Sequence, residues 1–157
     1  DVRIRRDSDW NVPEPEMTLY ITSTGKIAGY TLGNDMSSRS IEGENPLYLP
    51  QAKSYNGSTA LGPCLYVDKD PLPLETDISL EIIREGKVVF EDQTEIKQMK
   101  RTFADLVEYL YREFDFPQGA YLMTGTGIIP GNDFTLHSGD EIRIASGPIG
   151  TLINTVA

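Results

Sequence analysis

The sequence predicts a strand-rich α+β domain, a sandwich or rolled sheet carrying one or two helices. Three observations predict it. Short apolar runs alternate with polar residues at a period of two. Turn formers separate those runs at close intervals, with 14 Gly and 10 Pro in 157 residues. One segment alone keeps a helical period. The spacing of strands and turns does not suit βαβ units. The length suits one domain with a substantial core, with no linker or repeat to divide residues 1–157.

The elements follow in chain order. Residues 17–21 (MTLYI) and 26–32 (KIAGYTL) flank TSTG, a hairpin signal. Residues 78–84 (ISLEIIR) and 87–92 (KVVFED) flank the dipeptide EG, a second one. Residues 101–114 read as helix, because Phe103, Leu106, Val107, Leu110 and Phe114 fall on one stripe. Thr102 and Asp105 form a capping-box pattern with Asp in place of Glu, and Pro117 follows the helix end. Residues 140–146 (DEIRIAS) and 150–156 (GTLINTV) supply the last strands.

The stretch PEPE at residues 13–16 is anomalous at the head of a strand. Proline cannot donate a ladder hydrogen bond, and glutamate is depleted in strands. A turn at Ser23–Lys26 makes paired positions sum to 49. Tyr20 then faces Gly29, Leu19 faces Tyr30 and Glu14 faces Asp35. Glu14, Glu16 and Asp35 project from one face within about 5 to 8 Å of each other. Three carboxylates that close need protons, cationic side chains or a metal. Hard oxygen donors of this kind suit Mg2+, Mn2+ or Ca2+. A three-residue loop moves Asp35 to the other face, because side chains alternate. The plain alternative is a solvated edge strand, where proline is ordinary.

Other residues gather around this stretch. Arg39, in GNDMSSRS, has the planar fork that holds a carboxylate, or forms an ordinary ion pair. Lys53 lies in LPQAKSYNG, read as a polar loop. Beside a cation or desolvated, its pKa is expected to be lowered into proton-transfer range. LMTGTGIIPG at residues 122–131 offers backbone N–H groups and threonine hydroxyls to an oxyanion, or is a tight turn. It lacks the following helix of a dinucleotide fingerprint. His137 reads as part of a polar turn, and Cys64 as a core thiol.

Charge and composition narrow the partners. Fourteen basic against 24 acidic residues give a formal charge of −10, which argues against nucleic acid or an anionic membrane. One cysteine permits no internal disulfide and favours a cytoplasmic location. No apolar run reaches the roughly 20 residues of a membrane span. The first residue is Asp1, and the chain is read as a fragment lacking an N-terminal segment.

Taken together, PEPE, GYTLGNDMSSRSIE, QAKSYNG, ALGPCL, TGTGIIPG and SGPIGTLINTV resemble the fumarylacetoacetate hydrolase family, from about residue 8 to the end. The resemblance implies a mixed β-sandwich roll and a homodimer or higher homo-oligomer. It implies a divalent cation, usually Mg2+, on Glu14, Glu16 and Asp35. Lys53 becomes the catalytic lysine, and Arg39, Gly125 and Thr126 become substrate-binding. An N-terminal lid with acid/base residues is expected beyond this chain. Two departures stand out: Ser38-Arg39-Ser40 replaces A-R-D, and Gly127 replaces the proline of G-T-P. With SDWNVPEPE and EGENPLYLPQAKSYNG, they bring the chain nearer the branch of 2-keto-3-deoxy sugar-acid dehydratases. That branch implies an enolate stabilised by the metal and loss of the C4 hydroxyl. Two alternatives stay open: an acylpyruvate-type hydrolase or oxaloacetate decarboxylase on the same scaffold, and a non-catalytic cation-binding domain.

Overall fold

The computed structural model describes residues 1–157. Ten strands and three helices occur in the order β1 (Asn11–Val12), β2 (Pro15–Ile21), β3 (Ile27–Asp35), β4 (Ser37–Ser38), α1 (Arg39–Glu44), α2 (Leu49–Lys53), β5 (Thr59–Tyr66), β6 (Asp77–Arg84), β7 (Lys87–Glu95), α3 (Phe103–Tyr111), β8 (Ala120–Met123), β9 (Glu141–Ser146) and β10 (Gly150–Thr155). Two four-stranded sheets run β5-β3-β2-β8 and β10-β9-β6-β7, with β1 and β4 as a separate pair. All these strand pairs are antiparallel. The one parallel contact is the bridge between Val2 and Val156, so little of the sheet is mixed.

Alternation builds the core. In β2, Met17, Leu19 and Ile21 point inward with no exposure, and in β6 Ile78, Leu80 and Ile82 are likewise turned inward and buried. Leu32, Ile142 and Ile144 complete the contact between the sheets. Each such side chain contributes about 1.5 to 3 kcal/mol through removal from water. A buried hydrogen bond from Asn34 Nδ2 to Asn154 Oδ1, 2.9 Å long, ties β3 to β10 where the two sheets approach.

The second hairpin turns at Glu85-Gly86, both in the left-handed region at φ 51° and 76°, the geometry of a two-residue type I′ turn. The first hairpin departs from expectation. Its loop holds three residues, because Thr22 N–H donates to Lys26 O at 2.8 Å. A bulge then restores the register: Ile21 pairs with Ile27 but Tyr20 pairs with Gly29, which leaves Ala28 as the extra residue. The two shifts cancel. Leu19 faces Tyr30, and Glu14 and Asp35 exchange both backbone hydrogen bonds, at 3.2 and 3.0 Å.

β2 is not an edge strand, since β3 and β8 flank it. The pairing with β8 runs only from Thr18 to Ile21, however. Pro15 stands beyond it, and its missing N–H faces the unpaired side, so no ladder bond is lost.

Helix α3 has the expected Thr102–Asp105 capping box, with both reciprocal bonds formed. Val107 is buried, while Phe114 lies past the helix end and is 70% exposed. Cys64 is exposed on β5, a correction to its reading as a core thiol. β5 is an edge strand, so the apolar residues around Cys64 face outward there. No helix is long and apolar enough to cross a membrane.

Candidate metal centre

The register sets the site. Glu14 and Glu16 are two apart on an extended strand, and Asp35 lies opposite Glu14. One carboxylate oxygen from each lies within 4.8 Å of the others. Glu14 and Glu16 are 6% and 4% exposed; Asp35 is half-buried. Gly33, opposite Glu16, has no room for a side chain: a Cβ there falls 2.5 Å from Thr18 Oγ1.

Lys53 reaches the cluster from the last residue of α2, a helix where a loop was expected. Its Nζ donates to Glu14 Oε2 at 2.8 Å, Asp35 Oδ2 at 3.0 Å and Ser37 Oγ at 2.6 Å. Burial works against the ammonium, but the hydrogen bond to Glu14 and the charges of Glu14 and Asp35 outweigh it and raise the pKa. The expected lowering is therefore absent from this arrangement. Arg39 begins α1, where Ser38 Oγ caps the helix by accepting from Ile41 N–H. Its Nη1 donates to Glu42 Oε2 at 2.8 Å and lies 3.7 Å from Glu14 Oε1. The guanidinium stands over the Trp10 ring at 5.6 Å, and its buried Nε has no partner.

Glu16 has no cationic partner in contact. Its one hydrogen bond is from Gly125 N–H to Oε2, at 2.5 Å. Burial pushes its pKa up to about 7, with Asp35 and Glu14 adding to the shift. Gly125 thus holds a carboxylate of the cluster. Thr126 turns its hydroxyl back on its own loop, donating to Ile128 O and accepting from Ile128 N–H, both at 3.1 Å. His137 stays apart, exposed, with its backbone N–H on Asp140.

The structure brings Glu14, Glu16, Asp35, Lys53 and Arg39 together, with Gly125 at the rim. Ser37 and Trp10 are additions. Ser37 carried a weak signal, as a hydroxyl two residues beyond Asp35. Trp10 carried none. Three carboxylates face one ammonium and a guanidinium shared with Glu42, so negative charge is in excess. Closely spaced hard oxygens with excess charge fit a divalent cation such as Mg2+, Mn2+ or Ca2+.

Residues 23–157 match the family described as fumarylacetoacetate (FAA) hydrolase C-terminal. The chain belongs to that family. Glu14 and Glu16 precede the matched region. Within the family, the chain is 46% identical over 156 residues to a Haloferax volcanii protein named "Probable 2-keto-3-deoxyxylonate dehydratase", covering 99% of this chain and 54% of that one. It is 44% identical to the 2-dehydro-3-deoxy-D-arabinonate dehydratase of Saccharolobus solfataricus, covering 99% and 52%. A solved structure of 2-keto-3-deoxy-D-arabinonate dehydratase complexed with magnesium and 2,5-dioxopentanoate superposes with a TM-score of 0.95 at 44% identity, covering 99% of this chain and 56% of that one. The chain thus spans about half the length of the relatives it matches.

Proposed function

We propose that this chain carries the catalytic site of a Mg2+-dependent dehydratase (a lyase) acting on a 2-keto-3-deoxy sugar acid such as 2-keto-3-deoxy-D-arabinonate. One observation carries the reading. A three-carboxylate cluster with a lysine on it sits in a chain that superposes at 0.95 on a dehydratase binding magnesium and 2,5-dioxopentanoate.

In this reading Glu14, Glu16 and Asp35 hold the cation, which supplies Lewis acidity toward the 2-oxo and carboxylate oxygens of the substrate when bound. Lys53 is the proton-transfer residue. Its ammonium is held by Glu14 and Asp35. A cation held by those carboxylates would weaken that hold and favour neutral Nζ. Neutral Nζ takes the C3 proton and returns it to the C4 hydroxyl, which leaves as water. Arg39, with Nε unpartnered, orients the substrate carboxylate. Gly125 N–H keeps Glu16 aimed at the cation site. Thr126 lines the wall on which the rest of the substrate lies.

The unpaired, exposed Cys64 supports a cytoplasmic setting. Leu61, Leu65 and Val67, exposed along the β5 edge and just beyond it, support a homo-oligomer. The deciding experiment gives the full-length protein 2-keto-3-deoxypentonates and acylpyruvates in parallel, with Mg2+ and with EDTA. Pentonate turnover that EDTA abolishes is expected. Turnover of acylpyruvate alone removes the dehydratase reading, and turnover of neither supports a non-catalytic cation-binding domain.

A further inference from the structure

Trp10 is the one tryptophan of the chain, and no step above uses it. The Arg39 guanidinium stands over its ring, 5.6 Å from the centroid. That guanidinium also lies 3.7 Å from Glu14 Oε1, so the stacked pair borders the carboxylate cluster. Trp10 Nε1 and Arg39 Nε are both buried without a partner.

The two serines that flank Arg39 fix the backbone beneath the ring. Ser40 Oγ accepts from Asp9 N–H at 3.1 Å and from Trp10 N–H at 3.2 Å. With both lone pairs used, its own hydrogen points to Ser8 Oγ, 2.9 Å away. Ser38 Oγ donates to the same Ser8 Oγ at 2.7 Å, and Ser8 O–H reaches Trp10 O at 3.4 Å. Arg39 N–H donates to that carbonyl as well, at 2.8 Å. Residues 10 and 39 are therefore joined twice, backbone to backbone and ring to guanidinium.

The choice of residue is informative. A buried donor with no acceptor is destabilising, and a phenylalanine would place a ring here without one. Tryptophan has the better face for a cation. The chain thus keeps an orphaned N–H where a wide aromatic face meets Arg39. Local rules are broken in this way chiefly at functional positions.

We propose that Trp10 is a positioning residue: its ring, fixed by Ser8, Ser38 and Ser40, holds the Arg39 guanidinium ready for the carboxylate of the substrate. The inference rests on the role given to Arg39 above. A loose arginine loses rotamer freedom when its ligand binds, whereas a stacked one has lost it beforehand. The gain falls on binding and not on the chemical step.

The test uses the full-length protein with saturating Mg2+ and a 2-keto-3-deoxypentonate. Trp10→Leu is expected to raise KM about tenfold with kcat nearly constant, and Trp10→Phe about threefold. In an Arg39→Ala background, Trp10→Leu is expected to have no further effect on kcat/KM, because it acts through the guanidinium. An unchanged KM in both single variants overturns the proposal, and so does an equal further loss in the Arg39→Ala background. Trp10→Phe decides alone if Trp10→Leu does not fold. A second readout needs no turnover. The fluorescence of wild type minus that of Trp10→Phe isolates Trp10, and saturating pyruvate with Mg2+ is expected to shift it. A Trp10 signal that pyruvate leaves unchanged overturns the proposal. A wild type that shows the pyruvate shift but turns over no pentonate removes the dehydratase reading and leaves the positioning role standing.

Discussion

Asp140 and Glu16 are both carboxylates almost closed off from solvent, at 1% and 4% exposure, yet their surroundings are opposite. Arg84 grips Asp140 with two bonds, Nε to Oδ1 at 2.8 Å and Nη2 to Oδ2 at 2.7 Å, and His137 N–H adds a third at 2.9 Å. Burial pushes the Asp140 pKa up, but Arg84 and the His137 N–H more than reverse it, so the value is lowered. Glu16 has one backbone N–H and two carboxylate neighbours, and its pKa is pushed up to about 7, first by burial. Equal burial therefore says little about role. Charge balance separates a carboxylate that pins the fold from one that awaits a cation.

The largest expected effect attacks the balanced pair. Asp140→Asn leaves the Arg84 fork without its anion and is expected to cost about 3 to 5 kcal/mol, toward the lower end because Arg84 is 28% exposed. Glu16→Gln, measured without metal at pH 8, is expected to cost nothing or to stabilise, since it removes a buried charge with no cation against it. Chemical denaturation of both variants measures this. Equal losses at the two positions break the comparison.

A pH series separates the two carboxylates by sign. The raised Glu16 pKa gives metal-free protein a contribution fully present below its ordinary 4.5 and lost as pH rises through about 7. The loss amounts to about 3 kcal/mol. The lowered Asp140 pKa gives a contribution present above its ordinary 3.8 and lost as pH falls through the folded value. Metal-free stability is thus expected to decline between about pH 5 and 8, and saturating Mg2+ to flatten that decline. Denaturation midpoints across that range, with Mg2+ and with EDTA, check it.

Metal affinity sharpens the same contrast. Glu16→Gln is expected to weaken Mg2+ binding about a hundredfold or more, ~2.7 kcal/mol, as a ligand charge is lost. Asp140→Asn is expected to leave it within a few-fold wherever the protein remains folded. Calorimetric titration of Mg2+ distinguishes them.

Much of the site was legible because it rests on strand periodicity. Glu14 and Glu16 share a face whatever the turn does, since alternation is local. Asp35 was placed correctly through a turn that was one residue too short, because the Ala28 bulge restores the step that the longer loop removes. Compensation of that kind has no signature in composition. Lys53 was recognised but set in a loop. α2 is five residues long with only Ala52 buried, too short to show a helical stripe. The Gly125 N–H on Glu16 joins residues 109 apart, and no local pattern carries a contact of that span. Cys64 was misjudged because an apolar run on an edge strand reads the same as one in a core.

The smallest expected effect asks what holds Lys53 in the cluster. Its ammonium has three acceptors, and Ser37 Oγ at 2.6 Å is the only neutral one. If charge sets its position, Ser37→Ala removes one contact from a group still gripped by Glu14 and Asp35. No orphaned charge results, and the cost in metal-free protein is about 1 kcal/mol. Mg2+ affinity is then expected to change less than threefold, because none of the three carboxylates loses a partner of its own. If the hydroxyl instead anchors Nζ and the carboxylates follow, the variant loses stability and metal affinity together. Denaturation and Mg2+ titration of this one variant separate the cases. A joint loss as large as that of Glu16→Gln makes Ser37 part of the cluster's scaffold, and charge balance alone no longer explains why it holds its shape.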